Sequence, residues 1–383
     1  MLNVLALCHI KNNKLWLASN YLKEGLRYSP TNITLTLNYI KVNLGDDLYN
    51  FVEKKYIYHH NNKEYLKFYN KIKNEKIICK LFANKQYKKA LEALEALTKK
   101  TVNLFKVYNL KDFCIENNNN YFIIDEQKER IIYIPEYYNI NQPSEIKFAI
   151  SPEIYVAELQ NVSIIGESSV ILSNDICLYD MAKKNNDRYD LRYEALVDID
   201  ENYALIEYSD SQEMIDEAIF LIGVASKNYY HFTIEILSRL QYIDKFEKYR
   251  KIPILIDEAI IKITQYSDLL NIINKYNHPI ITVKRNQLYH IKKLVYPSYN
   301  TWMPLNVKAQ QRFEIQDSLI SFDAINYIRN NVVRDTITRG YKKIYISRKN
   351  TNNMRLINEE EVASLFKLFG FEIIYPEELS YSE

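Results

Sequence analysis

Residues 342–376, KKIYISRKNTNNMRLINEEEVASLFKLFGFEIIYP, contain the alternation of elements that decides the fold of this chain. The apolar run from Lys343 to Ser347 predicts a strand. Asn358 and Glu361 have the spacing of a capping box at the start of a helix, and Gly370 stands where that helix should end. The apolar run FEIIYP then predicts a second strand. Strand, loop, helix and strand in this order predict a βαβ unit with parallel strands.

The same alternation extends upstream to Ala218. Predicted helices are separated there by the apolar runs IPILID (252–257), PIITVK (279–284) and KLVYP (293–297), which indicates an α/β sheet whose strands are largely parallel. The polar-periodic stretch from Asn306 to Val333 predicts one long helix, of roughly 30 to 40 Å at 1.5 Å per residue. Between the polar break near residue 117 and this region, short apolar runs predict short strands. These runs are YFIID (121–125), RIIYIP (130–135), EIYVAEL (153–159), VSIIG (162–166) and SVIL (169–172).

The N-terminal part has a different, helical periodicity. LASNYLKEGLRYSPTN (17–32) places Ala, Leu, Gly and Pro at the offsets 0, +4, +7 and +12 of the second helix of a tetratricopeptide repeat. YKKALEALEAL (87–97) repeats the first three offsets with Ala, Leu and Leu. The pattern predicts antiparallel helix pairs, with an ordinary helical bundle as the open alternative. We therefore predict a TPR-like helical region at 1–115, a strand-rich segment with a first Rossmann-like lobe at 116–335, and a second lobe from 336 to 383.

Composition excludes several classes of protein. Fifty Lys and Arg against 48 Asp and Glu give a net charge of +2, too small to neutralise the phosphates of a nucleic acid. Four widely separated cysteines predict neither a disulfide framework nor a zinc site. With no apolar stretch near the ~20 residues that span a bilayer, and no basic leader, a cytoplasmic protein is expected. The six glycines form no glycine-rich phosphate loop, so any nucleotide must be held mainly by side chains.

NYYHFTIEILSRL (228–240) carries the strongest candidate for catalysis. On a helix with 100° per residue, Asn228, His231, Glu235 and Arg239 fall within about 80° of one another. A histidine with a carboxylate four residues later can be oriented and kept basic by it, as a general base requires. The open alternative is a helix edge with ordinary salt links.

A second candidate is the loop between the predicted strand and helix of residues 342–376. Arg348, Lys349 and Arg355 lie there, at the carboxyl end of a strand, where open α/β sheets bind ligands. Arginines can grip phosphate oxygens with two hydrogen bonds, although a solvated basic loop is an equal alternative. The DxD at Asp198 to Asp200 could chelate a divalent ion, but its turn-like surroundings favour an acidic surface loop.

Three segments in order resemble the family sixty-one glycosyltransferases. EIYVAELQNVSIIGESSVILSNDICLYD (153–180) is similar to the strand-rich stretch before the family's catalytic helix, and NYYHFTIEILSRL is similar to that helix. Residues 345–380, YISRKNTNNMRLINEEEVASLFKLFGFEIIYPEELS, look like the entry to the second lobe. The resemblance covers roughly residues 150 to 383.

The resemblance implies a GT-B fold with two Rossmann-like lobes, an inverting mechanism, a nucleotide-sugar donor, no cofactor and no required metal. It implies that His231 and Glu235 face the hydroxyl of a glycan or protein acceptor, with Asn228 and Arg239 beside them. It also implies that Arg348 and Arg355 face the donor diphosphate. The expected setting is the synthesis of surface polysaccharide, such as capsule, or of a glycoconjugate.

One departure from the family leaves a second function class open. Family members continue beyond the equivalent of residues 381–383 with further strands, helices and a donor loop, so we expect an incomplete second lobe here. That predicts weak or no nucleotide binding by this chain alone. The alternative is an inactive or fragmentary relative that acts as a sugar-binding or TPR-type module, because helical repeats offer a groove to a protein partner.

Overall fold

Residue contacts in the computed structural model divide the chain into two units, Met1–Lys76 and Ile77–Glu383. The sequence instead placed its first boundary near residue 115. The TPR-like pattern at 17–32 lies almost wholly outside the described residues, so the repeat assignment stays a prediction. The structure describes residues 20–22, 74–134, 146–179, 188–301, 303, 306–307, 314–332, 343–349, 356 and 358–380.

Two consecutive helices precede the first strand: α1 (74–83), most of which belongs to the larger unit, and α2 (Tyr87–Glu95). The repeat-like alanine and leucine, Ala90 and Leu94, are both buried. They join Val102 and Leu205, which belong to strands of the sheet, in one apolar cluster. This packing is the physical reason why residues 77–115 belong with the α/β part and not with a separate helical unit.

The remaining helices position the site and the core around it. The most important is α4, a helical segment over residues 229–243. The others are α3 (Leu110–Glu116), α5 (Glu258–Ile261), α6 (Thr264–Ile273), α7 (Phe322–Val332) and α8 (Glu359–Leu368).

Seventeen strands are defined within the described residues, most of them in one sheet. The first eight are β1 (Thr101–Tyr108), β2 (Asn120–Asp125), β3 (Glu129–Tyr133), β4 (Ile146–Ile150), β5 (Ile154–Ile165), β6 (Ile171–Ser173), β7 (Ile176–Leu178) and β8 (Tyr189–Asp190). The others are β9 (Leu196–Ile199), β10 (Tyr203–Tyr208), β11 (Met214–Phe220), β12 (Ile254–Asp257), β13 (Ile280–Val283), β14 (Leu288–Pro297), β15 (Asn306–Val307), β16 (Ile344–Ile346) and β17 (Glu372–Ile374).

The large sheet is mixed, with a parallel part that carries the site. Its strand order is β13-β12-β11-β14-β5-β6-β7-β1-β10-β9. The strand β2 lies off this path and pairs with β5, at residues other than those that pair with β6. β13, β12, β11 and β14 are parallel neighbours, whereas β14 pairs antiparallel with the long strand β5. The predicted α/β class with a parallel sheet is therefore confirmed for this part, and antiparallel strands extend the sheet beyond it.

β12, which lies inside the parallel part, is buried on both faces, as a continuous apolar run predicts. Ile254 and Ile256 of β12 pack on one face with α4, α6 and α7, while Leu255 packs on the other face. Phe232 of α4 stacks on Tyr266 of α6 with ring centroids 5.2 Å apart. Each such buried large apolar side chain stabilises the fold by roughly 1.5 to 3 kcal/mol, so α4 is held firmly against the sheet.

Residues 343–380 form the βαβ unit that the opening stretch predicts. β16 and β17 are parallel, with Ile344 opposite Glu372, and α8 lies between them in sequence. Gly370 adopts φ +78°, a left-handed conformation that favours glycine, directly after the helix. The capping box is not formed, because the Asn358 side chain makes no bond to the backbone of α8. Its amide donates instead to the Glu361 carboxylate at 3.2 Å.

The long helix predicted for Asn306–Val333 is wrong. Residues 306–307 are the short strand β15, and α7 covers only Phe322–Val332. A buried carboxylate between them fixes the chain, since Asp317 accepts bonds from Arg188 and from the Tyr189 hydroxyl at 2.6 Å. Although burial raises the pKa of Asp317, these bonds lower it to about 2. Periodicity alone did not reveal this tertiary contact.

Among the described helices, none combines the length and the apolar character that crossing a bilayer requires.

Candidate functional site

The helix α4 changes its winding at the residues that the sequence singles out. His231–Ile236 form a π-helix, Leu237–Arg239 form a 3₁₀ turn, and Leu240–Ile243 return to the α-helix. A π-helix bonds residue i to residue i+5 and so rotates successive side chains less than an α-helix does. Such turns are frequent at functional sites, because they turn side chains away from their regular positions.

The altered winding gives the four residues of the predicted stripe different surroundings. Asn228 is exposed, His231 is partly exposed, Glu235 is buried, and Arg239 is completely buried. They therefore run from the surface into the core and do not line one cleft together. Of these four residues, His231 and Glu235 are the two whose side chains form a hydrogen bond with each other.

His231 and Glu235 form a short, partly buried hydrogen bond. His231 Nδ1 lies 2.6 Å from Glu235 Oε2, and the side chains are 12% and 10% exposed. A carboxylate in this position favours the tautomer with the proton on Nδ1, which leaves Nε2 with its lone pair. The pair therefore has the arrangement of a general base with an orienting carboxylate.

Glu235 is held in a poorly solvated position. Burial raises the pKa of its carboxyl group, while the hydrogen bond and charge of His231 and the charge of Arg239 oppose the rise. Its Oε1 atom is buried and accepts no hydrogen bond from a described residue. Because buried polar atoms are normally paired, this oxygen is available to a bound water or ligand.

A small cavity of about 40 Å³ lies against the pair. It has room for a few water-sized groups but not for a sugar ring, so it would admit only the reacting end of a larger ligand. Its lining residues are Ser169, Tyr179, Asp190, Leu191, Val224, His231, Glu235, Tyr299, Thr301 and Met303.

Arg239 fastens α4 to the ends of two parallel strands. Its guanidinium donates to the carbonyl of Ile222 at 3.0 Å, after β11, and to those of Pro297 and Ile236 at 3.3 Å. It also lies 4.3 Å from the ring centre of Tyr299. Among the described residues no carboxylate lies within ion-pair distance of it, so neutral carbonyls and a ring satisfy this buried cation.

Tyr299 carries this support to the cavity wall. Its hydroxyl lies 2.9 Å from Ser169 Oγ, which accepts a hydrogen bond from the Val224 backbone at 3.1 Å. A Cβ on Gly223 would lie 2.7 Å from the Tyr299 hydroxyl, which is too close for an unshifted side chain. Glycine at 223 therefore permits the close approach that forms the wall.

Asp257 is the last residue of β12 and contacts the segment that contains Gly223. It is 1% exposed and accepts backbone hydrogen bonds from Glu167 at 2.7 Å and from Gly223 at 3.4 Å. Burial raises the pKa of Asp257 to about 7. It links the segment after β5 to the segment after β11, which contribute Ser169 and Val224 to the cavity lining.

The raised pKa of Asp257 predicts a pH-dependent stability. An acid whose folded pKa is near 7 and whose ordinary value is 3.8 binds more protons in the folded state between those values. The free energy of unfolding should therefore fall as the pH rises from about 4 to 7 and level off above it. D257N, which mimics the protonated acid, should remove most of this slope. Urea unfolding at pH 5, 6, 7 and 8 measures it, and an equal slope in both proteins would contradict the assignment.

The other predicted site residues lie apart from the cavity. The Asn228 side chain accepts from the Tyr230 backbone at 3.0 Å and so begins α4. Arg348 is exposed after β16, and its backbone N–H donates to Glu359 at 3.3 Å. Arg355 lies outside the described residues. Neither Asn228 nor Arg348 lines the His231 cavity.

Reasoning from sequence missed the residues that support the pair. Ser169 and Tyr299 reach the cavity from loop segments far apart in sequence, and no local pattern marks them. Asp257 did carry a signal, because an acidic residue directly follows the buried run ILI at the carboxyl end of a parallel strand, where ligands bind in such sheets. Within the described residues, no group of three or more His, Cys, Asp or Glu is placed to hold a metal ion.

Comparison with known proteins gives one match. No curated protein and no solved structure matches the chain. Residues 229–383, which begin at the first residue of α4 and include His231, Glu235 and the βαβ unit, match the family model described as Glycosyltransferase 61.

Proposed function

We propose that this protein is an inverting glycosyltransferase that moves a sugar from a nucleotide-sugar donor to a hydroxyl group of a glycan or other acceptor. The observation that carries the proposal is the His231–Glu235 pair, hydrogen-bonded at 2.6 Å beside a small cavity, at the start of the segment that matches Glycosyltransferase 61. The family match supports glycosyltransferase activity in general. Inversion, the donor class and a cytoplasmic role in surface polysaccharide or glycoconjugate synthesis are our proposal.

In the proposed reaction His231 is the catalytic base. Its Nε2 takes the proton of the acceptor hydroxyl as the acceptor oxygen bonds to the anomeric carbon of the donor sugar. The bond from that carbon to the diphosphate breaks on the opposite face, and the nucleoside diphosphate leaves with the electron pair. Glu235 stabilises the imidazolium that forms, and the scarcity of water around it strengthens this interaction.

The leaving diphosphate needs positive charge, for which we propose Arg348 and Arg355. Arg348 is exposed at the carboxyl end of β16, the edge where α/β sheets receive phosphate. The N-terminus of α8 cannot serve as the phosphate site by itself, because its first turn carries Glu359, Glu360 and Glu361. These carboxylates offset the favourable helix dipole, so the arginine side chains must supply the attraction.

Replacing both arginines should weaken nucleotide binding. Charge-assisted hydrogen bonds contribute about 1.5 to 3 kcal/mol each, so R348A/R355A should raise the dissociation constant for nucleoside diphosphates at least about tenfold. Calorimetry with a panel of nucleoside diphosphates and nucleotide sugars measures the change. K262A is a suitable control, since Lys262 forms a surface ion pair with Glu258 at 2.9 Å. Equal affinity in the double variant and the wild type would exclude the arginine assignment.

A transfer assay tests the whole proposal. The protein is incubated with a panel of nucleotide sugars and with sugar acceptors that carry free hydroxyl groups, and release of nucleoside diphosphate is followed. We expect one donor to support release that depends on the acceptor, with a product whose anomeric configuration is inverted by NMR. Retained configuration would exclude the single-displacement mechanism. Absence of transfer from every donor would favour a sugar-binding role without catalysis.

A further inference from the structure

We propose that a groove separate from the His231 cavity binds a neutral oligosaccharide portion of the acceptor. This groove lies between the C-terminal part of α4, the helix α7 and the strands β2 and β3. Its volume is about 880 Å³, against about 40 Å³ for the His231 cavity. Sites for small organic molecules commonly have volumes of about 300 to 1,000 Å³. The binding of an oligosaccharide in the groove does not depend on the proposed transfer function, whereas its assignment to the acceptor rests on that function.

One wall of the groove is a polar face of α7. Asp323, Asn326 and Asn330 are spaced by three and four residues, so they lie on the same side of the helix. All three are exposed, and their side chains make no hydrogen bond to any other residue that the structure describes. Two amides and a carboxylate offer both donors and acceptors, which is the chemistry that sugar hydroxyls require.

Another part of the groove lining comes from the end of α4 and the segment after β14. Gln241 donates its amide hydrogen to the Ser238 carbonyl at 2.9 Å, which leaves its side-chain oxygen as an acceptor toward the groove. Asn300 is 5% exposed and reaches the groove from the segment after β14. Lys245 lies one turn beyond Gln241. The Asn300 amide also lies 3.3 Å from Ser238 Oγ, so Gln241 is the amide of this part of the lining that offers an acceptor to a ligand.

The charges in the groove favour a neutral ligand. Arg130 and Lys245 are accompanied by Asp125, Glu129 and Asp323, so neither sign dominates. A site for a phosphorylated or polyanionic ligand needs an excess of positive charge. The groove also contains exposed apolar side chains, with Ile131 55% and Phe322 79% exposed. Pyranose rings present apolar C–H faces as well as hydroxyl groups, and this mixture of surfaces suits them.

A shared wall connects the groove to the His231 cavity. Tyr299 and Thr301 line the cavity, while Asn300 between them lines the groove. The helix α4 also borders both, with His231 at the cavity and Gln241 at the groove, ten residues or ~15 Å farther along the helix axis. We place the terminal hydroxyl of the oligosaccharide at His231 and its preceding sugar units in the groove.

Direct binding of sugars tests this proposal without any need for turnover. The probes are linear oligomers, one to six units long, of glucose, galactose, xylose and N-acetylglucosamine, followed by NMR saturation transfer and calorimetry on the full chain. We expect at least one series to bind more tightly as its length increases. N326A/N330A should weaken that binding about tenfold, and alanine at these exposed helix positions should not harm folding.

Two controls separate the possible failures. R329A changes an exposed residue of α7 outside the groove and should keep wild-type affinity. K262A should also keep it, because Lys262 is an exposed residue of a surface ion pair and does not line the groove. No binding of any oligomer, a preference for a peptide, or equal affinity in N326A/N330A and wild type would each overturn the proposal. Sugar binding without transfer from any donor would instead contradict the proposed function and leave the groove assignment standing.

Discussion

H231A is expected to lower the rate of sugar transfer by a factor of about 10² to 10⁴, which is the factor that a positioned general base contributes. The reason is geometric. Glu235 Oε2 lies 2.6 Å from His231 Nδ1, which keeps the proton on Nδ1 and leaves Nε2 as the proton acceptor of a residue that lines the cavity. The side chain is only 12% exposed, and its loss leaves the buried Glu235 carboxylate without its hydrogen-bond partner, so we also expect a lower thermal transition. The rates are therefore compared at a temperature at which both proteins are folded. Steady-state kinetics at saturating donor and acceptor, with circular dichroism in parallel, measure both effects.

H290A is a matched control for this prediction. His290 also bonds through Nδ1, to Ser163 at 2.9 Å, but it lies on β14 and lines no part of the His231 cavity. We expect H290A to keep its turnover within about twofold. Normal turnover in H231A would exclude the role of His231 as a base, whatever the other variants show.

E235Q adds a pH readout that a purely structural role would not produce. Glu235 supports the base only when it is ionised, and burial raises its pKa above the ordinary value. Activity should therefore fall on the acid side as the pH drops through this raised pKa. In E235Q the rate should be lower at pH values above this pKa and should approach the wild-type rate below it, so the fall in activity caused by protonation of Glu235 should disappear. An unchanged pH profile would contradict the coupling of the two residues.

R239M is expected to lower the free energy of unfolding by about 3 kcal/mol or more. The completely buried guanidinium satisfies the carbonyls of Ile222, Ile236 and Pro297, and each buried carbonyl that loses its partner costs about 1 to 3 kcal/mol. Methionine keeps much of the length and volume without any donor. Urea unfolding at pH 7 measures the loss.

R239K separates the positive charge from the planar geometry. Lysine keeps the charge, but it cannot stack flat against Tyr299 or donate along the same directions. We expect an intermediate stability and a lower rate of transfer, since Tyr299 forms the cavity wall. If R239M unfolds at the same urea concentration as the wild type, the carbonyl contacts contribute nothing to stability and this assignment is wrong.

The sequence by itself determined the elements and much of their order. Continuous apolar runs are typical of strands in parallel sheets, so β12 and β13 were predictable. The order strand, helix and strand predicted the βαβ unit of residues 343–380. Gly370 at the end of α8 was predictable because a left-handed residue commonly follows a helix. The spacing of His231 and Glu235 also sufficed, since residues four apart on a helix approach one another.

Only the tertiary structure decided what surrounds the pair. A regular helix would place Arg239 on the same exposed stripe as Asn228, but the π-helix at His231–Ile236 and the carbonyls at the strand ends draw it into the core. Ser169 and Tyr299 are 130 residues apart in the chain, yet their side-chain oxygens lie 2.9 Å from each other. Local sequence patterns record neighbours along a helix or a strand. They do not record which distant segments the packing of the core brings together, and this packing forms both the cavity and the groove.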